Sequence, residues 1–547
     1  MKKIGLYILS LGMMFTSCQD WLDINHDPNN ATQEKVSKEL LLTGMLDYVA
    51  RYPISTADAM YAHYVSKSGS YSGSYVSLTG IMTPQNFDGY WSANYSYVAN
   101  LKVVKEKAIE DQDPAIEGIA TLLIVQCYQR LVDAYNDVPY TESALGGDNI
   151  SPKYDKAEDI YNDLLVKCDE AIVSISKAIA DPGSISPQLK KADIMCKGNM
   201  NQWLRFAHTL KLNLLMRMSN VKDVSAQVAA LEGKCLNIDE LIEVNPGYYK
   251  EPNKMNPLYS SWGYNSLDNV TGTNKEMRPT SSLIDFLRDN ADPRLRVYIS
   301  PRLMIGNPTD GTADYAKYGL ENEWYIGVPY GWMNPPTHNY LSGVCIGVLG
   351  RSVSFKEAAL SSLIVRTGSE VGFFMAEAAL RGMIPGGDAA AKDYYEKAVI
   401  ASIARHETVM KTNAADFPYK NGVAPAIEVS AKEAARQYLD QDNAKVNWDK
   451  MTTFEQKMEA ICTQKWLNLF MVDHTEAWCE LRRTDYPRLG RSVSSTHQKL
   501  ISRFLYPQTE INLNESNVKA QGEVDIHESL IFWDKENNPA PETEVYL

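Results

Sequence analysis

The chain has 547 residues, of which 44% are hydrophobic, and it carries a formal net charge of −14 at pH 7. This length exceeds the size at which a single core keeps growing, so two or three packed subregions are expected. The acidic balance argues against nucleic acid as a partner and against direct adhesion to anionic lipid headgroups.

Residues 1–17 have the pattern of a bacterial lipoprotein signal peptide. A lysine pair precedes an apolar run at 4–15, which is too short to span a bilayer as a helix, and two small residues come directly before Cys18. We expect Cys18 to be lipidated and residues 18–34 to form a polar leash. An ordinary secretory signal with an incidental cysteine is the alternative. No further apolar stretch of 18 residues is expected, so the lipid anchor alone would hold the chain at a membrane.

The remaining cysteines show no C-x-x-C spacing, which excludes zinc ribbons and thioredoxin-like sites. Several lie on predicted apolar helix faces, where a thiol behaves as a small hydrophobic group. We therefore expect buried free thiols, with one or more disulfides as the alternative. These residues are Cys127, Cys168, Cys196, Cys235, Cys345, Cys462 and Cys479.

Apolar residues recur at helical spacing in several long segments. The predicted helices span 115–135, 155–178, 203–218, 369–381, 388–406, 431–439 and 453–472. Two of them share a small residue followed four positions later by tyrosine, at Ala157 with Tyr161 and at Ala391 with Tyr395. This spacing is typical of the second helix of a tetratricopeptide unit, where a small residue lets paired helices approach closely. A generic helical bundle is the alternative.

Two stretches, mainly 61–97 and 245–350, are rich in glycine, serine, proline, asparagine and aromatic residues. The second is too long for a plain loop in a compact domain, and loops on a rigid scaffold often carry binding residues. We assign them to a ligand region, and we assign the helical scaffold mainly to 98–220 and 360–480. The candidate ligand contacts are Tyr71, Tyr75, Trp91, Trp262, Tyr264, Asn265, Trp324 and Trp332.

The chemistry of this set leaves the ligand class open. Trp and Tyr rings stack on the apolar faces of sugar rings, while asparagine binds the hydroxyl groups around them. The same residues would suit a peptide. For each single ring, core packing is the competing interpretation, most strongly for Trp91, which has the helical spacing of a packing face with Tyr95.

Motifs for catalysis and metal binding are missing from the sequence. It has no H-E-x-x-H, no phosphate-binding loop, no G-x-G-x-x-G and no nucleophile elbow, so we expect neither an enzyme nor a cofactor. A calcium-loop spacing begins at Asp23, but Pro28 stands where such a loop needs glycine, so no metal is expected. Acid pairs such as Asp285 and Asp289 keep a surface glycosidase as a remote alternative.

Short motifs occur in a fixed order along the whole chain. They are Trp21-Leu-Asp-Ile-Asn25, Asp27-Pro-Asn-Asn30, Val132-Asp-x-Tyr135-x-Asp-Val-Pro-Tyr140, Ala376-Glu-Ala, Arg381-Gly382, Gln464-Lys-Trp466-Leu-x-Leu-Phe470, Glu476-Ala-Trp478, Arg482-Arg483-Thr-x-Tyr486-Pro487, Arg503-Phe-x-Tyr506-Pro507 and Phe532-Trp533-Asp534. Together with the cysteine at the head of the mature chain, they resemble the SusD/RagB family of Bacteroidetes outer-membrane lipoproteins.

The resemblance implies one SusD-like domain at 35–547. It implies an all-α fold, in which tetratricopeptide-like helix pairs pack against an irregular, loop-rich ligand-binding half. It also implies a lipid-anchored position on the outer surface of the outer membrane and a SusC-like TonB-dependent transporter as partner. The shared motifs are structural, and the family's ligand site varies, so no binding residue carries over.

Most members bind glycans and some bind peptides. We therefore expect capture of an oligosaccharide and its delivery to the transporter, with peptide capture as the alternative. A scaffold that binds only the transporter is a further alternative.

Overall fold

The computed structural model describes residues 36–69, 76–145, 149–345, 347, 355–497 and 499–535. The predicted signal peptide, Cys18, the leash, Tyr71 and Tyr75 lie outside the described residues.

Helices make up most of the described chain. In chain order they are α1 (Lys38–Arg51), α2 (Thr56–Tyr61), α3 (Val76–Thr79), α4 (Asp88–Glu110), α5 (Pro114–Tyr135), α6 (Ala157–Ala180), α7 (Pro187–Ala192), α8 (Met200–Met218), α9 (Ser225–Ala229), α10 (Gly272–Glu276), α11 (Ser281–Asp289), α12 (Leu295–Tyr298), α13 (Phe355–Leu360), α14 (Gly368–Leu380), α15 (Gly387–Ala404), α16 (Glu407–Lys411), α17 (Ala431–Leu439), α18 (Phe454–Leu469), α19 (His474–Thr484), α20 (Gln508–Leu513) and α21 (Glu515–Lys519).

Strands are short and few in the part that the structure describes. They are β1 (Val65–Lys67), β2 (Leu241–Val244), β3 (Met277–Pro279), β4 (Ile299–Ser300), β5 (Gly343–Val344) and β6 (Leu363–Thr367). They pair as three antiparallel two-stranded sheets, β1 with β3, β2 with β6 and β4 with β5. The predicted all-α class is confirmed.

The predicted tetratricopeptide-like pairs are confirmed as α5 with α6 and α14 with α15. Each depends on a glycine that lets two helices approach closely. A Cβ added at Gly118 would lie 2.7 Å from Cγ1 of Ile175, and one added at Gly372 would lie 2.8 Å from Cβ of Ala398. Ala391 and its neighbours on the α15 face are fully buried. The small residues thus set the spacing of the helical scaffold.

Helix α4 corrects the boundary between scaffold and loops. Residues 88–97, assigned to the ligand region from their composition, form the first part of this 23-residue helix. Trp91, Val98 and Leu101 are all buried along it. Helical spacing of large apolar residues therefore decided the local structure, despite the nearby serine and glycine residues.

A network of buried ion pairs joins three scaffold helices. The Arg217 guanidinium in α8 lies 2.6 Å from a Glu476 oxygen and 2.7 Å from a Glu480 oxygen in α19. Arg483 in α19 lies 2.6 Å from Glu377 in α14 and 2.7 Å from Glu480. All five side chains are buried. Each charge needs its partners, because an unpaired buried charge costs several kcal/mol.

Glu480 stands at the centre of this network. Burial acts to raise its pKa, but the neighbouring cations Arg483, Lys465 and Arg217 hold that pKa well below its usual value. Glu377, Glu476 and Arg483 all come from the motifs that carry the family resemblance. These three motifs therefore have a structural role in this chain, as the resemblance implies.

One helix of the described chain, α5, is long and apolar enough by length and composition to span a membrane. The expectation that no such stretch follows Cys18 is wrong in that respect. However, 89% of its most apolar window is buried inside the protein, as in the core helix of a soluble domain.

The seven cysteines after Cys18 are buried and free, which confirms the expectation of buried free thiols.

Candidate ligand-binding cleft

A cleft of about 530 Å³ opens on the loop-rich side of the fold. Its walls come from three parts of the chain. The first wall is the end of β1 with the two residues after it, the second is the loop at 332–337, and the third is the loop at 310–312. The lining residues are Lys67, Ser68, Gly69, Asp310, Thr312, Trp332, Met333, Asn334, Pro335 and Thr337. This volume lies in the range of small-molecule sites, and the lining combines one aromatic ring with several polar groups.

The first wall is fixed by the pairing of β1 with β3. Beyond β1, the Ser68 N–H donates to the Glu276 carbonyl at 2.7 Å, and the Gly69 N–H donates to the Pro336 carbonyl at 2.7 Å. A Cβ at Gly69 would lie 2.3 Å from the Pro335 carbonyl oxygen. Glycine is therefore required where this wall meets the loop at 332–337.

The second wall presents Trp332. Its neighbour Gly331 has φ +80°, and a Cβ there would lie 1.8 Å from Oγ of Ser492. The Gly331 N–H donates to Ser66 Oγ at 3.3 Å, and the Trp332 N–H donates to the Pro329 carbonyl at 3.0 Å. Trp332 is half-buried and packs against a small apolar cluster separate from the main core. That cluster is Tyr315, Ile326, Val328 and Leu341. The ring is thus held from behind while part of it faces the cleft.

The third wall is supported by Arg302, which is 1% exposed. Its guanidinium donates to the Gly306, Leu320 and Glu321 carbonyls at 3.3, 3.2 and 2.7 Å. These bonds hold together the two ends of the 306–321 loop. Asp310 at the loop tip is exposed and accepts hydrogen bonds from Thr312, 3.2 Å from its N–H and 2.7 Å from its hydroxyl. A buried cation therefore fixes an exposed carboxylate at the cleft edge.

Charges of both signs border the cleft. Asp310 is exposed, whereas Lys67 is buried. Burial raises the pKa of Glu276, and the Lys67 ammonium acts in the opposite direction. The cleft surface thus offers one exposed carboxylate, the Asn334 amide, the hydroxyls of Thr312 and Thr337, and an indole ring. This set can stack on an apolar ring face and hydrogen-bond to hydroxyl or amide groups beside it.

Two of the predicted ligand contacts lie in the core. Trp91 is 5% exposed, and its ring packs 4.9 Å from the rings of both Tyr95 and Tyr135. Trp262 is 1% exposed, and its Nε1 donates to the Ile54 carbonyl at 3.3 Å. Both rings fill space between helices and loops, so neither offers a face to a ligand in this structure.

Three more predicted contacts lie near the surface but away from the cleft lining. Trp324 is half-buried, and a Cβ added at Gly422 would lie 2.2 Å from its ring, so Gly422 covers one face. Tyr264 is half-buried against the core. Asn265 is exposed, but its side-chain oxygen accepts from the N–H groups of Leu267 and Asn269 at 2.9 and 3.0 Å and closes a turn. Of the six predicted residues described, Trp332 alone lines the cleft.

Sequence reasoning missed Gly69, Asp310 and Thr312. The approach of Gly69 to Pro335 joins residues far apart in the chain, and no local pattern reveals it. Asn334 lies two residues after the predicted Trp332 and lines the same part of the cleft.

The acid pair suggested for a glycosidase lies on one short helix. Asp285 and Asp289 both belong to α11 and share Arg288, at 2.9 and 2.8 Å. Burial raises the pKa of Asp285 to about 6. A glycosidase needs two carboxylates on opposite sides of a scissile bond. The shared arginine instead gives this pair a structural explanation.

Several solved structures with a similar fold are SusD homologues. One from Bacteroides fragilis is 20% identical with a TM-score of 0.70, covering 92% of this chain and 100% of its own. A SusD-like protein from Bacteroides thetaiotaomicron is 22% identical with a TM-score of 0.65, covering 88% and 95%. A chitin-binding SusD homologue from Flavobacterium johnsoniae is 22% identical with a TM-score of 0.64, covering 92% and 97%. At these identities the likeness shows the fold.

A family model matches nearly the whole sequence of this chain. The model of the SusD-like family, described as "Susd and RagB outer membrane lipoprotein", matches residues 23–534. The chain belongs to this family, which confirms the predicted resemblance. No curated protein sequence matches the chain.

Proposed function

We propose that this protein captures an oligosaccharide in the cleft beside Trp332 and delivers it to a TonB-dependent transporter in the outer membrane. The observation that carries the proposal is the half-exposed Trp332 ring in a polar-lined cleft of about 530 Å³. A sugar ring would stack on the indole while its hydroxyls bond to Asp310, Asn334 and Thr337. The chitin-binding SusD homologue of similar fold supports a glycan as the ligand class.

Delivery is proposed to depend on the lipid anchor. Lipidated Cys18 would hold the domain at the outer face of the outer membrane, and residues 18–34 would form the leash. Such a tether keeps the domain at a high effective concentration over a SusC-like transporter while letting it move. The variant Cys18→Ala should leave ligand affinity unchanged and abolish nutrient uptake by cells. Uptake that survives this substitution would contradict the tether.

Peptide capture is the second candidate, and one observation favours it. Leu303, Met304 and Ile305 are consecutive and 59%, 48% and 45% exposed. The N–H groups of Leu303 and Met304 both donate to the Asn339 carbonyl, at 3.0 and 2.9 Å, two residues beyond cleft residue Thr337. A run of fixed, exposed apolar side chains is unusual on a soluble surface and would suit the side chains of a peptide.

Tryptophan fluorescence separates the two ligand classes. Purified protein is titrated with an oligosaccharide pool and, separately, with a peptide pool of matched mass range. We expect a saturable change with the oligosaccharides that disappears in Trp332→Ala. A fluorescence response to peptides that is lost in Leu303→Ser would instead support peptide capture. If neither pool changes the fluorescence, the cleft is rejected as the binding site.

The proposed role is binding without turnover. The tightest-binding oligosaccharide is incubated with the protein, and the products are analysed by mass spectrometry. We expect the oligosaccharide to be recovered intact. Cleavage that is lost in Asp285→Asn would restore the glycosidase alternative.

A further inference from the structure

A small pocket behind the cleft collects histidines. Three of the eight histidines in the chain, His63, His497 and His527, line a pocket of about 30 Å³. Arg491 and Lys499 line it as well. Among the described residues that line this pocket there is no aspartate or glutamate. In a chain of net charge −14, a space bordered by five cationic or protonatable groups stands out.

The pocket and the cleft share one wall. Tyr330 lines the pocket, and Trp332, two residues later, lines the cleft. The His63 ring stacks on the Tyr330 ring, with centroids 3.8 Å apart and an angle of 23°. Gly331, between the two aromatic residues, is packed directly against Ser492, which also lines the pocket. A group bound in the pocket would therefore touch the segment that holds Trp332.

His63 is a buried polar group that lacks a hydrogen bond. It is 3% exposed, its φ is +59°, and its Nδ1 has no hydrogen-bond partner. An unsatisfied buried polar atom costs about 1–3 kcal/mol, so it calls for an explanation, and a bound anion or water is one. Burial lowers the pKa of His63 to about 3. An anion beside the ring would offset this effect, because it favours the protonated form.

His497 and His527 form the opposite side. Their rings stack with centroids 4.0 Å apart and an angle of 17°. The His527 Nδ1 lies 3.0 Å from the Lys499 carbonyl oxygen, so Nδ1 carries the proton. The other ring nitrogen, Nε2, then points toward Gly80, where an added Cβ would lie 2.9 Å from it. Gly80 lines the pocket, so this nitrogen reaches the pocket wall.

Two carboxylates lie just outside the lining. Lys499 pairs with Glu528 at 2.5 Å. The backbone N–H groups of His527 and Glu528 lower the pKa of Asp525, and the two imidazoles add to this effect. Among the described residues that line the pocket, the other titratable groups are the phenols of Tyr61 and Tyr330, and burial raises the pKa of each. These carboxylates offset Lys499 and part of the imidazole charge.

We propose that this pocket binds a single oxyanion group, for which a carboxylate is the simplest example. The volume admits the head group only, so the rest of the molecule would extend outward past His497, which is exposed. The His63 and His497 rings and the Ser495 hydroxyl would supply donors, and Nε2 of His527 would join them once that ring is protonated, since its Nδ1 already donates to the Lys499 carbonyl. The anion could be free in solution or be the acid group of a larger ligand. The proposal does not depend on the function assigned to the cleft.

Histidine-detected NMR tests the pocket in the full mature chain. Protein with ¹³C-labelled histidine is titrated with acetate, phosphate, glucuronate and glucose at pH 6 and pH 8. We expect saturable shifts of the His497 and His527 signals with acetate and with glucuronate, and none with glucose. Binding should be tighter at pH 6 than at pH 8, because an anion favours the protonated ring. Burial lowers the pKa of both His63 and His527, which keeps this difference small. A response to acetate and phosphate without glucuronate would assign the pocket to free anions.

Two variants make the test specific. His497→Gln should weaken acetate binding at least tenfold, while His208→Gln, which removes a half-buried imidazole from α8, should leave it unchanged. Because His497 is exposed, its substitution is not expected to disturb folding, which is checked by circular dichroism. The proposal is overturned if acetate, phosphate and glucuronate all fail to give saturable shifts, or if His497→Gln binds acetate as tightly as the original chain.

Discussion

The helical scaffold and the loop-rich half of this protein are held together by different interactions. In the scaffold, helices pack through small residues and share buried ion pairs such as Arg483 with Glu377 and Glu480. In the loop-rich half, the buried Arg294 pairs with Asp292 only two residues away, and the buried Arg302 is bonded to three backbone carbonyl groups in place of an acidic partner. The scaffold tolerates little change in charge, whereas the loops present side chains such as Trp332 that packing only partly restrains. Substitutions in the scaffold should therefore mainly lower stability, whereas substitutions in the loops should mainly change ligand binding.

The largest effect on stability is expected in the scaffold network. Arg483→Ala leaves Glu377 and Glu480 buried without their main partner, which should lower the free energy of unfolding by about 3–5 kcal/mol. Urea unfolding followed by circular dichroism measures this change. Lys397→Ala, which breaks an exposed pair with Asp393, is the matched control and should cost less than about 1 kcal/mol. Equal losses in the two variants would contradict the ion-pair account.

The next effect concerns binding and compares two tryptophans of the loop-rich half. Trp332→Ala should weaken oligosaccharide binding about thirtyfold, or roughly 2 kcal/mol, because an aromatic anchor is removed from the cleft. Trp324→Ala should leave the affinity unchanged and lower the melting temperature, since one face of Trp324 packs on Gly422. Calorimetric titration and thermal unfolding of both variants give the comparison. If Trp324→Ala weakens binding and Trp332→Ala only lowers the melting temperature, the ligand site lies at Trp324 instead.

A glycine pair tests how tightly each region is packed. Gly69→Ala places a Cβ 2.3 Å from a carbonyl oxygen, so it should cost about 1–3 kcal/mol of stability and weaken ligand binding. Gly44→Ala, in α1 with open space around the new Cβ, should stabilise the protein by about 0.5–1 kcal/mol through helix propensity. Urea unfolding of the two variants should give changes of opposite sign. If Gly69→Ala leaves the free energy of unfolding unchanged, this wall of the cleft is not tightly packed.

A pH dependence of stability is also expected, from His63. Its folded pKa of about 3 lies below the ordinary value of 6.5, so the ring is neutral in the folded state and protonated on unfolding. The stability that it contributes is present above pH 6.5 and is lost as pH falls toward 3, by about 1.4 kcal/mol for each pH unit. His63→Gln should flatten the decline between pH 6 and pH 5, measured in buffers free of small carboxylates. An unchanged slope would contradict the burial of a neutral ring.

The fold could be predicted from the sequence where apolar residues repeat over a long helix. Helices α5, α6, α8 and α15 were all predicted with boundaries within a few residues. Helix α19 was not predicted, because its buried side chains include Glu476, Glu480 and Arg483, and a charged helix resembles an exposed one in sequence. Only the partners contributed by α8, α14 and α18 show that these charges are buried.

The site was predictable to a smaller extent. Trp332 could be selected because a tryptophan in a loop-rich stretch is a local pattern, and the structure places this half-buried ring in the cleft lining. Trp262 carries an equally suggestive motif, yet it is buried by a contact with Ile54, 208 residues earlier in the chain. The choice between these two rings depends on long-range packing, which composition and spacing do not encode.

The central claim is that the cleft beside Trp332 holds the ligand, and a crystal structure with the tightest-binding oligosaccharide tests it most directly. We predict a sugar ring stacked on the Trp332 indole, with hydroxyl groups within hydrogen-bond distance of Asp310 or Asn334. A sugar bound elsewhere, with Trp332 uncovered, would contradict the account.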